Sequence, residues 1–219
     1  MKNDKYQSWH YFPLNLTSEE IADPFIVLEQ FFNISWIGGQ LKLLKKWRKY
    51  IIRDDFYRGA NGHPNDLLFV HVEAVRIIEA AFLLRDISVD LINVIFDQNS
   101  VNQQIKAEHE AWGYHAKCLS LKEIADPTRV IKKLCRLYTL PDYRAQLHDW
   151  LVYGLSTDSC DEFLTAAEII PIYDILQKLI EAFWLIHMRR TQPVIPHVNE
   201  THVSQDEKQL IYNNQTPTP

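Results

Sequence analysis

The chain has 219 residues, of which 47% are apolar and 23% are charged, and it carries a net charge of −5. This composition predicts one soluble globular domain that builds its core without disulfides or metals. The negative charge excludes a protein that coats nucleic acid with a uniformly basic surface, although it leaves room for a local basic patch.

The chain contains an internal repeat that starts close to the N-terminus. The segment SWHYFPLNLTSEEIADPFIVL returns as AWGYHAKCLSLKEIADPTRVI, and Trp9 aligns with Trp112 at an offset of 103 residues. At this offset the 42 positions from 9 to 50 contain 12 identities, whereas average residue usage gives about 2 or 3 by chance. The match resumes at an offset of 102, where residues 77–84 align with 179–186.

The repeat predicts an all-α helical bundle of two three-helix halves related by a pseudo-twofold axis. The halves cover residues 8–85 and 111–187, and each is small enough to be marginally stable alone, so we expect them to share one core within a single domain over 1–190. Residues 86–110 are predicted to form connecting helices. The proline-rich segment 191–219 has few apolar residues and is predicted to be a flexible tail.

Capping signals locate the first helices of each half. Thr17 and Glu20 have capping-box spacing, which predicts a short helical turn. Asp23 followed by Pro24 predicts an N-cap and a proline in the first turn of helix one, over 24–32. The same signals return in the second half as Ser120, Glu123, Asp126 and Pro127. These repeated carboxylates are therefore interpreted as helix caps rather than as catalytic groups.

The remaining helices are placed by glycine, proline and apolar spacing. Glycines 38 and 39 predict the turn into helix two over 40–54, and helix three begins after the His-Pro-Asn-Asp run at 63–66. Because no glycine or proline follows, helix three is predicted to continue past Arg85 toward Phe96, in preference to an isolated strand at 91–96. The other predicted helices cover 127–138 and 143–155, a third helix follows 159–165, and a connecting helix covers 101–111 after a break at 97–100.

Two repeated sets of residues are candidates for a ligand or partner groove. Glu79 and Glu181 lie at the same place in otherwise apolar helices, and a buried carboxylate must be paired or protonated. We expect them to pair with repeated or nearby cations such as Arg76 and Lys178, or with tyrosine hydroxyls, and a ligand-facing role near the pseudo-axis is the alternative. The second set is the repeated Trp-x-Tyr, which is expected to anchor packing rather than bind a ligand; its residues are Trp9, Tyr11, Trp112 and Tyr114.

Basic residues form two helical faces. On helix two they recur with the helical period, and a shorter run lies on helix one of the second half. The first face comprises Lys42, Lys45, Lys46, Lys49 and Arg53, and the second comprises Arg129, Lys132, Lys133 and Arg136. We expect solvated faces balanced by neighbouring acids, with binding to a phosphate-bearing partner as the alternative.

The sequence offers little material for catalysis or metal binding. Histidines and acids are densest at residues 108–110 and His115, yet the chain has neither Glu-x-x-His nor His-Glu-x-x-His spacing. It also lacks a G-x-S-x-G elbow and a glycine-rich phosphate loop. Cys118, Cys135 and Cys160 form no CxxC pair and are expected to be reduced thiols. We therefore predict no catalytic residues, no metal and no cofactor.

These observations favour a non-enzymatic helical interaction or regulatory protein that binds a protein or peptide partner. The first alternative is a nucleic-acid-associated factor acting through the basic faces. The second is a small-ligand or enzymatic site in an interior cavity near the pseudo-axis. With no apolar run of about 18 residues and no apolar segment behind the polar N-terminus, we expect a cytoplasmic protein that does not enter membranes.

Overall fold

A computed structural model describes residues 7–52, 64–85, 98–156 and 164–194, except for the side chains of 98–100. Within these ranges the chain is helical and has no strand, which confirms the predicted all-α bundle. A 3-10 turn (Ser8–Tyr11) precedes the helices α1 (Ser18–Ala22), α2 (Phe25–Ile34), α3 (Ile37–Ile52), α4 (Pro64–Leu84), α5 (Gln98–Trp112), α6 (Leu121–Ala125), α7 (Thr128–Leu137), α8 (Leu140–Leu155) and α9 (Ala166–Thr191).

The helix bounds recur along the chain at the offset of the sequence repeat. Moving the bounds of α1, α2 and α3 by 103 residues gives those of α6, α7 and α8. Moving the first residue of α4 by 102 residues gives the first residue of α9. Both repeats therefore have the same order of helices, and α5 lies between them.

The predicted caps are present in both repeats. The Thr17 hydroxyl accepts a hydrogen bond from the Glu20 amide, and the Glu20 carboxylate accepts one from the Thr17 amide. Ser120 and Glu123 form the same capping box ahead of α6. The Asp23 carboxylate accepts from the Phe25 amide at 3.1 Å, and Asp126 and Thr128 repeat this contact at the start of α7.

Helix two begins earlier than predicted in both repeats. Glycines 38 and 39, predicted as a turn, lie in the first turn of α3, where a Cβ on Gly38 would come within 2.8 Å of the Trp36 ring and one on Gly39 would collide with the Ser35 hydroxyl. Pro141 likewise lies in the first turn of α8, where its missing N–H has no helical partner to lose. These residues mark a crowded helix start rather than a loop.

The long helix of the first repeat is described as far as Leu84, and Arg85 lies in a turn. The predicted helix toward Phe96 and the alternative strand at 91–96 lie outside the described residues, as does the predicted tail beyond residue 194. Residues 192–194 pack on the bundle, because the carbonyls of Gln192 and Val194 accept hydrogen bonds from Trp112 and Gln104.

The core is built by packing across the two repeats. Helix α4 packs mainly on α8, and α3 packs mainly on α9, while α2 and α7 lie against α4 and α9. Between α3 and α8 the buried rings of Trp47 and Trp150 meet edge to face, with 5.4 Å between their centroids. Gly154 lies beside this pair, where a Cβ would come 3.1 Å from Leu67 and, at 3.7 Å, would make an ordinary contact with the Trp47 indole nitrogen. Within the described ranges, one cluster of buried apolar residues is drawn from both repeats.

We predict that Asp126→Ala lowers the free energy of unfolding by about 1 kcal/mol, because α7 loses a hydrogen bond to an amide of its first turn. Urea denaturation of the full chain measures this change. Asp149→Ala removes a carboxylate from an exposed position of α8 and should alter stability by less than about 0.5 kcal/mol. Binding activity should survive in Asp126→Ala at a temperature where it is folded; its loss in an equally stable variant would contradict the capping role.

Candidate functional site

Glu79 is fully buried in α4 and is held by donors from two distant segments. Its carboxylate accepts hydrogen bonds from the amides of Leu14 and Asn15, at 3.2 and 2.8 Å, and from the Asn15 side chain at 2.9 Å. On the other side, Nε of Arg144 from α8 donates at 3.0 Å and completes an ion pair. A charge buried in this way is compensated by direct partners.

Glu181 is the equivalent carboxylate in α9 and is also buried. It accepts hydrogen bonds from the amides of Lys117 and Cys118, at 2.9 and 2.7 Å, which are the positions 103 residues after those that Glu79 contacts. Its further partner is the Tyr114 hydroxyl at 2.7 Å. Burial and the Glu181 carboxylate raise the pKa of Tyr114, so this hydroxyl remains a donor.

Glu79 pairs with a cation and Glu181 with a tyrosine hydroxyl, as expected. The cation is Arg144, however, and neither Arg76 nor Lys178 contacts these two carboxylates. Arg76 contacts Glu73 at 2.8 Å and also pairs with Glu20, and Lys178 contacts Glu123 at 2.9 Å. These cations lie three residues before the buried carboxylates, where they meet the capping-box acids.

The two capping-box acids are held in their charged form. Burial alone would raise the pKa of Glu20, but the Thr17 amide and the Arg76 guanidinium outweigh it, so the pKa lies below its usual value. Burial alone would also raise the pKa of Glu123. Lys178 and the Ser120 amide outweigh this effect, so the pKa of Glu123 likewise lies below its usual value. Each ion pair thereby joins a short capped turn to the long helix of its own repeat.

The repeated Trp-x-Tyr residues have different environments in the two repeats. Trp112 and Tyr114 are 8% and 9% exposed, and the Trp112 indole donates to the Gln192 carbonyl at 3.2 Å. Trp9 and Tyr11 are 59% and 42% exposed. The prediction of a packing anchor therefore describes the second pair and not the first.

An exposed apolar segment surrounds the first pair. We call it the N-terminal apolar face, and its residues are Trp9, Tyr11, Phe12 and Leu14. The segment is fixed from the second repeat, because Arg144 donates to the carbonyls of His10 and Phe12 at 2.6 and 2.7 Å while it pairs with Glu79. The face is therefore ordered by a buried ion pair although its own side chains point to solvent.

A cleft of about 400 Å³ opens beside this face. Glu79 lies in its wall with its carboxylate already bonded within the protein, and Glu181 is not among its lining residues. The lining comprises Tyr11, Pro13, Glu79, Phe82, Leu83, Arg85, Cys135, Thr139 and Leu140. A cleft of this size lies within the range of small-ligand pockets.

The basic residues that the structure describes are exposed on α3 and α7, and both helices pack on α9. Arg129 pairs with Asp126 at 3.5 Å. Within the described part of the chain, Lys42, Lys45 and Lys49 form no ion pair. The other described members are Lys46, Lys132, Lys133 and Arg136, and Arg53 lies outside the described residues.

The region richest in histidine and acid holds an ion pair. Glu108 is buried against Arg189, with 2.6 Å between Oε1 and Nε. Among the aromatic contacts described, the His109 ring meets only the His115 ring, with 4.9 Å between their centroids. In the described ranges, no three His, Cys, Asp or Glu side chains are grouped as a metal site would need.

Over the same ranges no helix is long and apolar enough to cross a membrane. Cys118 is a free thiol, the Cys135 thiol donates to the Ala81 carbonyl at 3.9 Å, and Cys160 lies outside the described residues.

Sequence reasoning missed Arg144 and the residues that open the cleft. The repeat aligns Arg144 with Leu41, and an arginine at a position that is apolar in the other repeat is the signal that could have indicated it. For the cleft, the corresponding signal is the alignment of Cys135 with Phe32 and of Thr139 with Trp36. Such differences between aligned positions indicate where the side-chain contacts of the two repeats differ.

We predict that Tyr114→Phe lowers the free energy of unfolding by about 1.5–3 kcal/mol, because a buried carboxylate loses a donor while the ring is kept. Tyr138→Phe is the matched control, since the Tyr138 hydroxyl forms no hydrogen bond among the described residues and its ring packs on Tyr143. Chemical denaturation of both variants checks the difference. Equal stabilities would show that Glu181 does not depend on the hydroxyl.

Comparison of the chain with protein-family models, with curated proteins and with solved structures finds no match. The contacts and surfaces of the molecule itself are therefore the basis for a functional proposal.

Proposed function

We propose that this chain is a non-enzymatic interaction protein, formed by internal duplication of a three-helix unit, that binds a protein partner through the N-terminal apolar face. The observation that carries the proposal is the difference in burial between the two copies of the Trp-x-Tyr motif. Trp112 and Tyr114 are buried in the second repeat, whereas Trp9 and Tyr11 are exposed in the first.

Three features support the duplication and the pseudo-twofold axis. The helix bounds coincide after a shift of 103 residues. Glu79 and Glu181 bind backbone amides at equivalent positions. The packing of α3 on α9 mirrors that of α4 on α8, and Trp47 meets its own repeat partner Trp150, as residues beside a twofold axis do.

The N-terminal apolar face has the properties of a protein-binding surface. Exposed aromatic side chains contribute large contact areas and are enriched among the residues that dominate binding energy. The Glu79–Arg144 pair fixes the backbone beneath them, so that little conformational entropy is lost when a partner binds. The buried carboxylates are engaged by the protein's own donors, which favours a structural use over proton transfer. The free thiol of Cys118 supports a cytoplasmic setting.

We predict that Trp9→Ser with Phe12→Ser lowers the amount of a co-purifying partner at least tenfold without loss of folding. The full chain is crosslinked in its native cells, recovered, and the bound protein is quantified. Val152→Ser with Ile170→Ser is the control, because it removes two exposed apolar side chains elsewhere, from α8 and α9. A partner that remains on the Trp9 and Phe12 variant, or is lost from the control, contradicts this assignment.

A second candidate function is nucleic-acid binding through the lysine face of α3. It is favoured by Lys42, Lys45 and Lys49, which are exposed and form no ion pair within the described ranges. Within those ranges no carboxylate forms a direct ion pair with these three lysines. A helix of this kind would contact phosphates, because lysines act as point charges and are poor bidentate readers of bases.

We predict for this candidate that binding to a mixed-sequence DNA duplex weakens steeply with salt, each phosphate contact adding about −0.9 to the log-log slope. Lys45→Glu with Lys49→Glu should weaken binding equally for all sequences and flatten that slope, while leaving the buried Trp47 side of α3 intact. Lys106→Glu with Lys122→Glu makes the same charge change at exposed positions elsewhere. If duplex binding is undetectable at low salt or persists in the Lys45 and Lys49 variant, the candidate is eliminated.

A further inference from the structure

The cleft beside the N-terminal apolar face has a filled counterpart in the second repeat. The alignment at offsets of 102 and 103 places Phe82, Cys135 and Thr139 of the cleft at the positions of Trp184, Phe32 and Trp36. Tyr11 and Glu79 correspond in the same way to Tyr114 and Glu181. Each element that borders the cleft therefore has an equivalent in the other half of the molecule.

At the second position aromatic rings occupy the space, and Trp36 among them is 49% exposed. The Trp36 indole lies edge to face with the rings of Tyr114 and Trp184, at 5.7 and 6.1 Å between centroids. Phe32 packs on Trp184 at 5.1 Å. An indole therefore fits between Tyr114 and Trp184 of α9 in the second repeat.

At the first position, which is the cleft, three side chains are smaller than their counterparts in the second repeat, while Tyr11 and Glu79 are kept. Thr139 stands for an indole, Cys135 for a phenyl ring, and Phe82 for a larger indole. What remains is a volume of about 400 Å³, which exceeds the roughly 150 Å³ that holds a benzene molecule. Apolar and aromatic side chains form most of the wall, and the carboxylate of Glu79 is satisfied within the protein.

We propose that this cleft receives an aromatic side chain of the tryptophan type from the bound partner, in the place that Trp36 takes in the second repeat. The inference rests on the proposed protein-binding function. A protein source is favoured because Tyr11 and Pro13 of the cleft alternate along the chain with Trp9, Phe12 and Leu14 of the exposed face. A partner seated on the N-terminal apolar face therefore reaches the cleft directly, and the inserted ring would act as its buried anchor.

The test uses the full chain labelled with ¹⁵N and titrated with N-acetyltryptophanamide, N-acetylleucinamide and indole. We expect saturable shifts of the Thr139 and Leu140 amide signals with N-acetyltryptophanamide, and at least fivefold weaker binding of the leucine compound. Cys135→Phe and Phe82→Trp, which restore the bulk found in the second repeat, should each weaken this binding at least tenfold. Leu137→Phe adds a ring at an exposed position of α7 and should leave it unchanged.

Three outcomes overturn the inference. The first is that N-acetyltryptophanamide shows no saturable binding. The second is that Cys135→Phe and Phe82→Trp bind it as tightly as the unaltered chain does. The third is that indole binds and N-acetyltryptophanamide does not, which would indicate a free ligand in place of a side chain. The proposed function is tested separately by partner recovery. A partner lost from the Trp9 and Phe12 variant but retained by both filled variants leaves the function standing and removes only the insertion of a ring.

Discussion

Two buried carboxylates determine how each repeat is assembled. Glu79 and Glu181 both accept hydrogen bonds from two successive backbone amides that precede a capped helical turn. An amide withdrawn from water without an acceptor is costly, and an unpaired buried charge costs more. Carboxylate and loop therefore satisfy each other, and this fixes the path of the chain into the first helices of each half.

The remaining partner of each carboxylate decides what the neighbouring surface looks like. Glu181 takes the Tyr114 hydroxyl, which draws that ring into the core. Glu79 takes Arg144 from the opposite repeat, and Tyr11 stays half-exposed beside the cleft. The two halves therefore differ in this donor and in side-chain volume at Phe82, Cys135 and Thr139, although the backbone contacts of the two carboxylates are the same.

The sequence was informative where a short-range pattern determines the structure. The capping boxes at Thr17 and Ser120 and the offset of 103 residues predicted the turns and the order of the helices. The buried glutamates were recognisable as polar residues in apolar helices. Arg144 was not recognisable as the partner of Glu79, because it lies 65 residues away along the chain. The cleft was also beyond prediction, since it depends on side-chain volumes at positions brought together only by packing.

The crossed packing of the helices also affects how the protein is made. The apolar sides of α3 and α4 are covered by α9 and α8, and the Trp47 ring meets a residue 103 positions further along the chain. At a synthesis rate of about 5–20 residues per second, a delay of roughly 5–20 s separates the two on the ribosome. During that interval the first half presents uncovered core surface, so the nascent chain depends on protection from aggregation until its C-terminal helix emerges.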